Sequence, residues 1–444
     1  MGLALVSQTY SEDRGARAPV HKPLFPFEPP LDLARAKTFS AGQPFEAFKL
    51  MRENAPVMWH PMKKANMEGF WALTSFEDVR AASLNTAAFS SQKGGIMMAY
   101  PPKTDPRHHP KLHNASLDTM ICLDAPHHMQ LRREHMAYFK PNYVRDLKTK
   151  VDIKVKEILN GLAASGTVTN FVENFSSQLP LFTLSEILGI PEADRPKIRQ
   201  WMDMLEMAPY MLEEKDISDV DPAIFMHFLT EMQAMFDYGQ YILKTRRKNP
   251  KEDLLSAIAN VEIDGELLPD EFLDGSWLII LVAGNDTTRN SISGLMKLLT
   301  QFPKEKAKLI ANPDLIPNMA HEGVRMVSPV MYMRRTATQD TAVRGQKIAE
   351  GEKIILYYGA ANRDPAMFEN PDVFDVSRAN AKDHIGFGTG PHVCIGQRVA
   401  NMQIESAYRQ ILTRFPNIAW TGEEEILPNG FTHSIGKLMV DLNT

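Results

Sequence analysis

The chain has 444 residues, 44% hydrophobic and 23% charged, with 49 Lys and Arg against 54 Asp and Glu. That composition is ordinary for a globular protein, and a formal charge of −5 lacks the basic excess of a nucleic-acid footprint, so no nucleic-acid partner is expected. Two cysteines, Cys122 and Cys394, are too few for a disulfide framework and fit a reducing compartment; the sequence leaves open whether they pair.

In chain order, Gly2-Leu3-Ala4-Leu5-Val6 is too short for a secretory h-region and has no basic residue before it. No window approaches the roughly 20 apolar residues that span a bilayer; the longest apolar run, 277–284, stops at Asn285-Asp286. A cytoplasmic protein without a membrane anchor is expected. Residues up to about 44 are rich in Pro, including Pro19, Pro23, Pro26, Pro29, Pro30 and Pro44, which reads as an extended arm. Strand-like pieces follow near 57–59 and 70–73. The stretch 85–125 is rich in Gly, Pro, His and Asn and reads as a long irregular segment of the functional kind. Helical periodicity dominates 127–330, with breaks expected at Pro180, Pro191, Pro209, Pro250, Pro269, Pro303 and Pro313. Strands return in 331–357, and Pro428-Asn429-Gly430 marks a hairpin turn in the tail. No repeat or linker divides the chain, so 1–444 reads as one mainly α domain with small peripheral β-sheets.

Four constellations carry chemistry. The loop Phe387-Gly388-Thr389-Gly390-Pro391-His392-Val393-Cys394-Ile395-Gly396 presents one thiol ahead of a helix expected over 395–415, whose apolar face is Ile404, Tyr408, Ile411, Leu412 and Phe415. A lone cysteine is most often an inert core residue, but such a residue does not need three flanking glycines. Gly388, Gly390 and Gly396 permit positive φ and close backbone approach, and a helix N-terminus lowers a thiol pKa. The absence of further Cys ligands argues against zinc and iron–sulfur centres; a single thiolate suits haem iron. Ala283-Gly284-Asn285-Asp286-Thr287-Thr288 places polar groups inside an apolar helix, where they are costly unless used. Thr287 can bond the carbonyl of Ala283 and bend the helix; a packing role for Gly284 carries equal weight. Glu322-Gly323-Val324-Arg325 sets acid and base on one helical face, as a solvated pair or a buried clasp. Finally, His128 and Arg132 lie one turn apart after Pro126, a solvated basic face or an anion clamp.

In this order and spacing the motifs resemble those of the cytochrome P450 family, over about residue 30 to the end. The resemblance implies a P450 fold and haem b ligated by Cys394 as the metal ligand, with Phe387 close to the sulfur and Gly396 in the same loop. It implies O2 as co-substrate, with Asp286 and Thr287 as the catalytic acid–alcohol pair that supports proton delivery. His128, Arg132, Arg335 and His392 match positions that hold the haem propionates, and Glu322, Arg325 and Arg378 match a structural triad. Ala125 in Asp124-Ala125-Pro126 departs from the more usual proline. The stretches 283–291, 333–337 and 361–364 resemble soluble bacterial members that hydroxylate alkanes, terpenoids and steroid side chains, often terminally.

The resemblance further implies a monomer that takes NAD(P)H electrons through a separate [2Fe–2S] ferredoxin and ferredoxin reductase, with Arg132, Arg133, Lys140, Arg145 and Arg398 as a docking patch. The substrate is expected to be a hydrophobic molecule. Its pocket candidates are Val282, Ala283, Val330, Met331, Tyr332, Phe431 and Thr432, with Ile96, Met97, Met98 and Tyr100 as another wall. Met202, Met204, Met207, Met211, Met226, Met232 and Met235 suit an adaptable surface, although core packing is the commoner role. A peroxide-dependent haem-thiolate enzyme and a non-catalytic haem-based sensor are the rival readings.

Overall fold

The structure is a computed structural model that describes residues 4–5, 8–14, 17–24, 27–62, 69–98, 109–214 and 221–443, with the backbone alone for 4–24, 110 and 207–214. Tyr100 and the side chains of Met207 and Met211 therefore lie outside the described residues.

The centre is a helix over Asp270–Gln301, 32 residues and about 48 Å long. Pro269 precedes it, Asp270 and Glu271 occupy its first turn, where they complement the helix dipole, and Pro303 starts the next helix. The helices Gln178–Leu188, Arg195–Glu214, Pro222–Lys248, Ile316–Val327 and Gln397–Arg414 surround it. Gly294 of the central helix lies against Val327, and Gly323 lies against Leu295; a Cβ would come within 2.5 Å and 2.4 Å of those side chains. The two helices approach closely because neither glycine has a side chain to hold them apart.

A seven-stranded sheet runs in the order Gln8–Arg14, Arg17–Leu24, Val57–His60, Phe70–Leu73, Lys353–Tyr357, Tyr332–Ala337 and Phe89–Ser90. Its middle strands are buried on both faces, and the side chains alternate as the pleat requires. Met58, Phe70, Ala72, Ile355 and Tyr357 enter one cluster, while Val57, Trp59, Trp71, Leu73, Ile354 and Leu356 enter another. A three-stranded sheet joins Ala419–Leu427, Ser434–Asp441 and Val168–Asn170; its hairpin turns at the expected Pro428-Asn429-Gly430. Helices dominate and the sheets are small, as expected.

One expectation is refined and two are corrected. The arm is partly paired: its strands 8–14 and 17–24 form an antiparallel ladder. The irregular stretch contains a helix, Pro110–Leu117, packed on the central helix. That contact is tight at Gly275, where a Cβ would come within 1.9 Å of the Asp118 carbonyl. Pro180 and Pro209 do not break helices. Pro180 falls in the first turn of Gln178–Leu188, where its missing N–H costs no intrahelical bond, and the backbone of Arg195–Glu214 continues through Pro209. No helix among the described residues is long and apolar enough to cross a membrane.

Candidate active site

The cysteine loop is closed by its own backbone. The Cys394 N–H donates to the Phe387 carbonyl at 2.8 Å, and the Val393 N–H to that of Gly390 at 3.1 Å. Gly388 and Gly390 both have φ +73°, a region that a Cβ disfavours. Gly390 is also hemmed in, since a Cβ there would lie 3.1 Å from the Ser83 carbonyl. Gly396 differs from expectation. Its φ is −85°, so positive φ is not its reason; it precedes the helix Gln397–Arg414, and a Cβ on it would lie 3.8 Å from Cys394 Sγ.

Backbone N–H groups of Gly396 and Gln397 reach the thiol, as expected, but the expected fall in pKa does not follow. Burial raises the thiol's pKa and outweighs those donors and nearby Arg132. Locally the thiol is accessible, yet it lies deep within the protein; both hold for a group that borders an interior space. Cys122 is buried, with its Sγ donating to the Ser116 carbonyl at 3.5 Å.

Around the loop stand the expected basic residues. The rings of His128 and His392 stack with centroids 4.0 Å apart. Burial, reinforced by neighbouring cations, lowers both pKa values, that of His128 to about 4 and that of His392 further, so both rings are neutral near pH 7. His392 Nε2 lies 3.3 Å from Ser91 Oγ, and its buried Nδ1 has no partner among the described residues. Arg335 is 2% exposed; it donates to the Arg334 carbonyl at 2.8 Å. Arg132 is half-buried and donates to the Val393 carbonyl at 2.6 Å. It therefore belongs to the loop and not to an outer docking patch, where only the exposed Arg133, Lys140, Arg145 and Arg398 remain. Among the described residues neither Arg132 nor Arg335 forms an ion pair with a carboxylate. Two poorly solvated guanidinium groups without a counter-charge are costly and suit an anionic ligand.

The central helix is buried through 273–296 except along one stripe, Ile279, Ile280, Val282, Ala283, Gly284 and Thr287, and Ala283 is outright exposed. Thr287 Oγ1 donates to the Ala283 carbonyl at 3.1 Å, the expected back-bond. Gly284 is a packing glycine: a Cβ would lie 2.8 Å from Leu184. Asp286 is 5% exposed and accepts from Asn285 Nδ2 at 2.9 Å. Burial raises its pKa to about 7, with Arg289 opposing that shift and Glu206 adding to it. Arg289 donates through Nη2 to Glu206 on Arg195–Glu214. Sequence reasoning missed both residues, because a pair 83 positions apart has no local signature.

Glu322, Arg325 and Arg378 form a buried clasp. Arg325 Nε and Nη2 donate to the two Glu322 carboxylate oxygens at 2.7 and 2.8 Å, and Arg378 Nε donates to Glu322 Oε1 at 3.0 Å. Arg325 also reaches the carbonyls of Asn362 and Pro371.

The pocket candidates divide. Met97, Val282, Val330 and Phe431 are partly accessible and Ala283 is exposed. Met331 is 0% exposed and sits in the sheet-side cluster, so it is corrected from pocket wall to core. Tyr332 packs edge-on against Phe431 at 5.3 Å, and its hydroxyl oxygen accepts from the Met98 N–H at 3.1 Å; Tyr332, Met98 and Thr432 are 5–6% exposed. Of the methionine series, Met202, Met232 and Met235 are core residues, while Met226 is 58% exposed.

Comparison with known proteins decides the family. The cytochrome P450 family model matches residues 192–435, more than half the chain. The chain is 33% identical over 405 residues to the methyl-branched lipid omega-hydroxylase of Mycobacterium tuberculosis (strain ATCC 25618 / H37Rv), covering 89% of this chain and 90% of that protein. The chain belongs to the cytochrome P450 family. It is also 31% identical to the steroid C26-monooxygenase of Rhodococcus jostii, over 93% of this chain and 85% of that one. A Mycobacterium marinum cytochrome P450 in complex with pseudoionone superposes with a TM-score of 0.81 at 33% identity, covering 91% and 96% of the two chains. The chain is thus a P450 monooxygenase with the P450 fold, a family that binds haem through a cysteine thiolate and uses O2 with NAD(P)H-derived electrons. The residues present fit that group: an accessible thiol faced by backbone N–H groups, an unpartnered His392 Nδ1, and two guanidinium groups suited to carboxylates.

Proposed function

We propose that this P450 inserts one oxygen atom from O2 into a C–H bond near the end of a branched hydrocarbon chain, in a lipid, terpenoid or steroid-like molecule, with electrons from a separate [2Fe–2S] ferredoxin and its reductase. The balance is substrate C–H plus O2, two electrons and two protons, giving the alcohol and water. The single observation that carries this reading is the accessible stripe through the central helix, apolar at Ile279, Ile280, Val282 and Ala283 and polar at Thr287.

Haem, when bound, supplies the activation of O2; the chain supplies ligand, orientation and protons. Cys394 is the thiolate ligand, held by the Phe387 carbonyl and the Gly396 and Gln397 N–H groups. Arg132, Arg335, His128 and His392 hold the propionates. Thr287 presents a hydroxyl on the accessible face, and Asp286 behind it titrates near neutrality, where an acid both releases and recovers protons. Val282, Ala283, Val330 and Phe431 offer apolar contacts to the substrate. The names of related proteins support the substrate class: a methyl-branched lipid omega-hydroxylase, a steroid C26-monooxygenase and, at 30% identity, the linalool 8-monooxygenase of Pseudomonas putida.

The test is turnover under 18O-labelled O2 with a ferredoxin–reductase pair and three substrates: a methyl-branched fatty acid, a sterol with an intact side chain and linalool. One label atom in a chain-end alcohol from at least one of them is expected. Unlabelled product, turnover with peroxide but not with ferredoxin, or no spin-state response to any of the three would overturn the reading.

A further inference from the structure

Between the central helix and Arg195–Glu214 lies a buried ionic cluster that the proposed chemistry does not yet use. Glu206 and Arg289 have side chains only 4% and 5% exposed. Arg289 follows Asp286 by three residues, hence on the same helical face. It donates through Nη2 to Glu206, while its buried Nε and the buried Oδ1 of Asn285 have no partner among the described residues. The charged groups acting on Asp286 are Arg289 on its own helix and Glu206 and Asp203 on the opposite one; Asp203 lies further out, paired at 3.9 Å with Arg199.

We propose that Glu206 is a positioning residue for proton delivery: by holding the Arg289 guanidinium, it keeps that cation from pairing with Asp286 and leaves the Asp286 carboxyl free to carry a proton to the Thr287 side of the helix. The inference rests on the acid role proposed for Asp286 and adds a partner on a second helix. Arg289 has one compact guanidinium and three acids within its influence, Glu206, Asp286 and, further out, Asp203. While Glu206 is in place, the cation is neutralised by a residue that delivers no proton. If Arg195–Glu214 moves away from the central helix, the pair must break, and Asp286 becomes the nearest remaining counter-charge. An Asp paired to Arg loses its proton readily and ceases to be a donor near pH 7. The site is therefore competent to deliver protons only when that helix is seated.

The two ends of the pair predict opposite shifts, which a purely structural role does not. In Glu206→Gln, Arg289 is released to Asp286. The pH above which coupling of electrons to product falls should drop by about one unit or more, with peroxide released in place of alcohol at pH 7.5. In Arg289→Met the same midpoint should rise, and Glu206→Asp should restore the wild-type profile. Coupling is read as product formed per NAD(P)H consumed, with the reduced CO spectrum confirming an intact haem site in each variant. Should the single variants fail to fold, the charge-free double variant Glu206→Met with Arg289→Met is read instead, and its midpoint should still rise, by less than for Arg289→Met alone, because Arg289 opposes the Asp286 shift more than Glu206 adds to it. Midpoints that do not move in either single variant, or that shift in one direction for both, would overturn the inference. Absence of coupled turnover in the wild-type chain would instead overturn the proposed function.

Discussion

Glu322→Gln tests the buried clasp. The substitution keeps shape and size but removes the one negative charge between two guanidinium groups. Glu322 and Arg325 are 0% exposed and Arg378 is 8% exposed, so water cannot replace it. Four donors converge on the carboxylate: Arg325 Nε and Nη2, Arg378 Nε and the Asp375 N–H. An amide has only one acceptor oxygen and turns two N–H donors toward them. Removing one partner of a buried ion pair costs about 3–5 kcal/mol, and the lower bound already divides the folding constant by roughly 150. The exposed i,i+4 pair Lys148–Asp152, at 2.6 Å, is the control, where Asp152→Asn should cost about 0.3–0.5 kcal/mol. Urea unfolding followed by far-UV circular dichroism should show a large drop in midpoint for the first and almost none for the second. A loss below about 1 kcal/mol for Glu322→Gln would refute the reasoning, because the clasp would then be no better than a surface pair.

Other outcomes follow from the same geometry. Cys394→Ser should remove the thiolate signature of the reduced CO spectrum, whereas Cys122→Ser should preserve it; the reverse would move the ligand to Cys122. Asp286 has a folded pKa of about 7, above its ordinary value of 3.8, so folding takes up a proton between those values and its contribution to stability falls as pH rises from about 4 to 7. Asp286→Asn should therefore gain stability relative to wild type across that window, with no further gain above it; a constant difference between the two urea midpoints would contradict this. Gly390→Ala meets both a φ of +73° and a carbonyl 3.1 Å away. It should destabilise the loop by at least about 1–2 kcal/mol, read as faster haem loss, while Gly351→Ala, also at positive φ but with nothing nearby, should cost less. Reversing the charges of Arg133 and Arg398 together should slow ferredoxin reduction most at low salt; a rate unaffected by ionic strength would exclude that patch.

Local order made much of this protein legible before any fold was known. The cysteine loop announces itself because glycines at positive φ and a thiol ahead of a helix are short-range requirements, written within ten residues. Asp286-Thr287 and Glu322 with Arg325 are likewise neighbours in sequence, so helical spacing alone puts each pair on one face. The helix over 110–117 was hidden because its residues lack an apolar period, and it is held by packing on the central helix at Gly275.

What only the tertiary structure decided is how charges far apart in sequence meet. Whether Glu322 and Arg325 were a surface pair or a clasp depended on Arg378 and on the carbonyls of Asn362 and Pro371, all at least 37 residues from Arg325 or Glu322. Arg132 moved from a docking patch to the loop because Val393 lies under it. The thiol's pKa went up where helix-terminus reasoning sent it down, since burial depends on everything that surrounds the loop. Glu206 acquired a role only once two helices met. Sequence carries the local stereochemistry that makes each reactive group possible; the three-dimensional packing sets the dielectric and the counter-charges, and these determine what the group does.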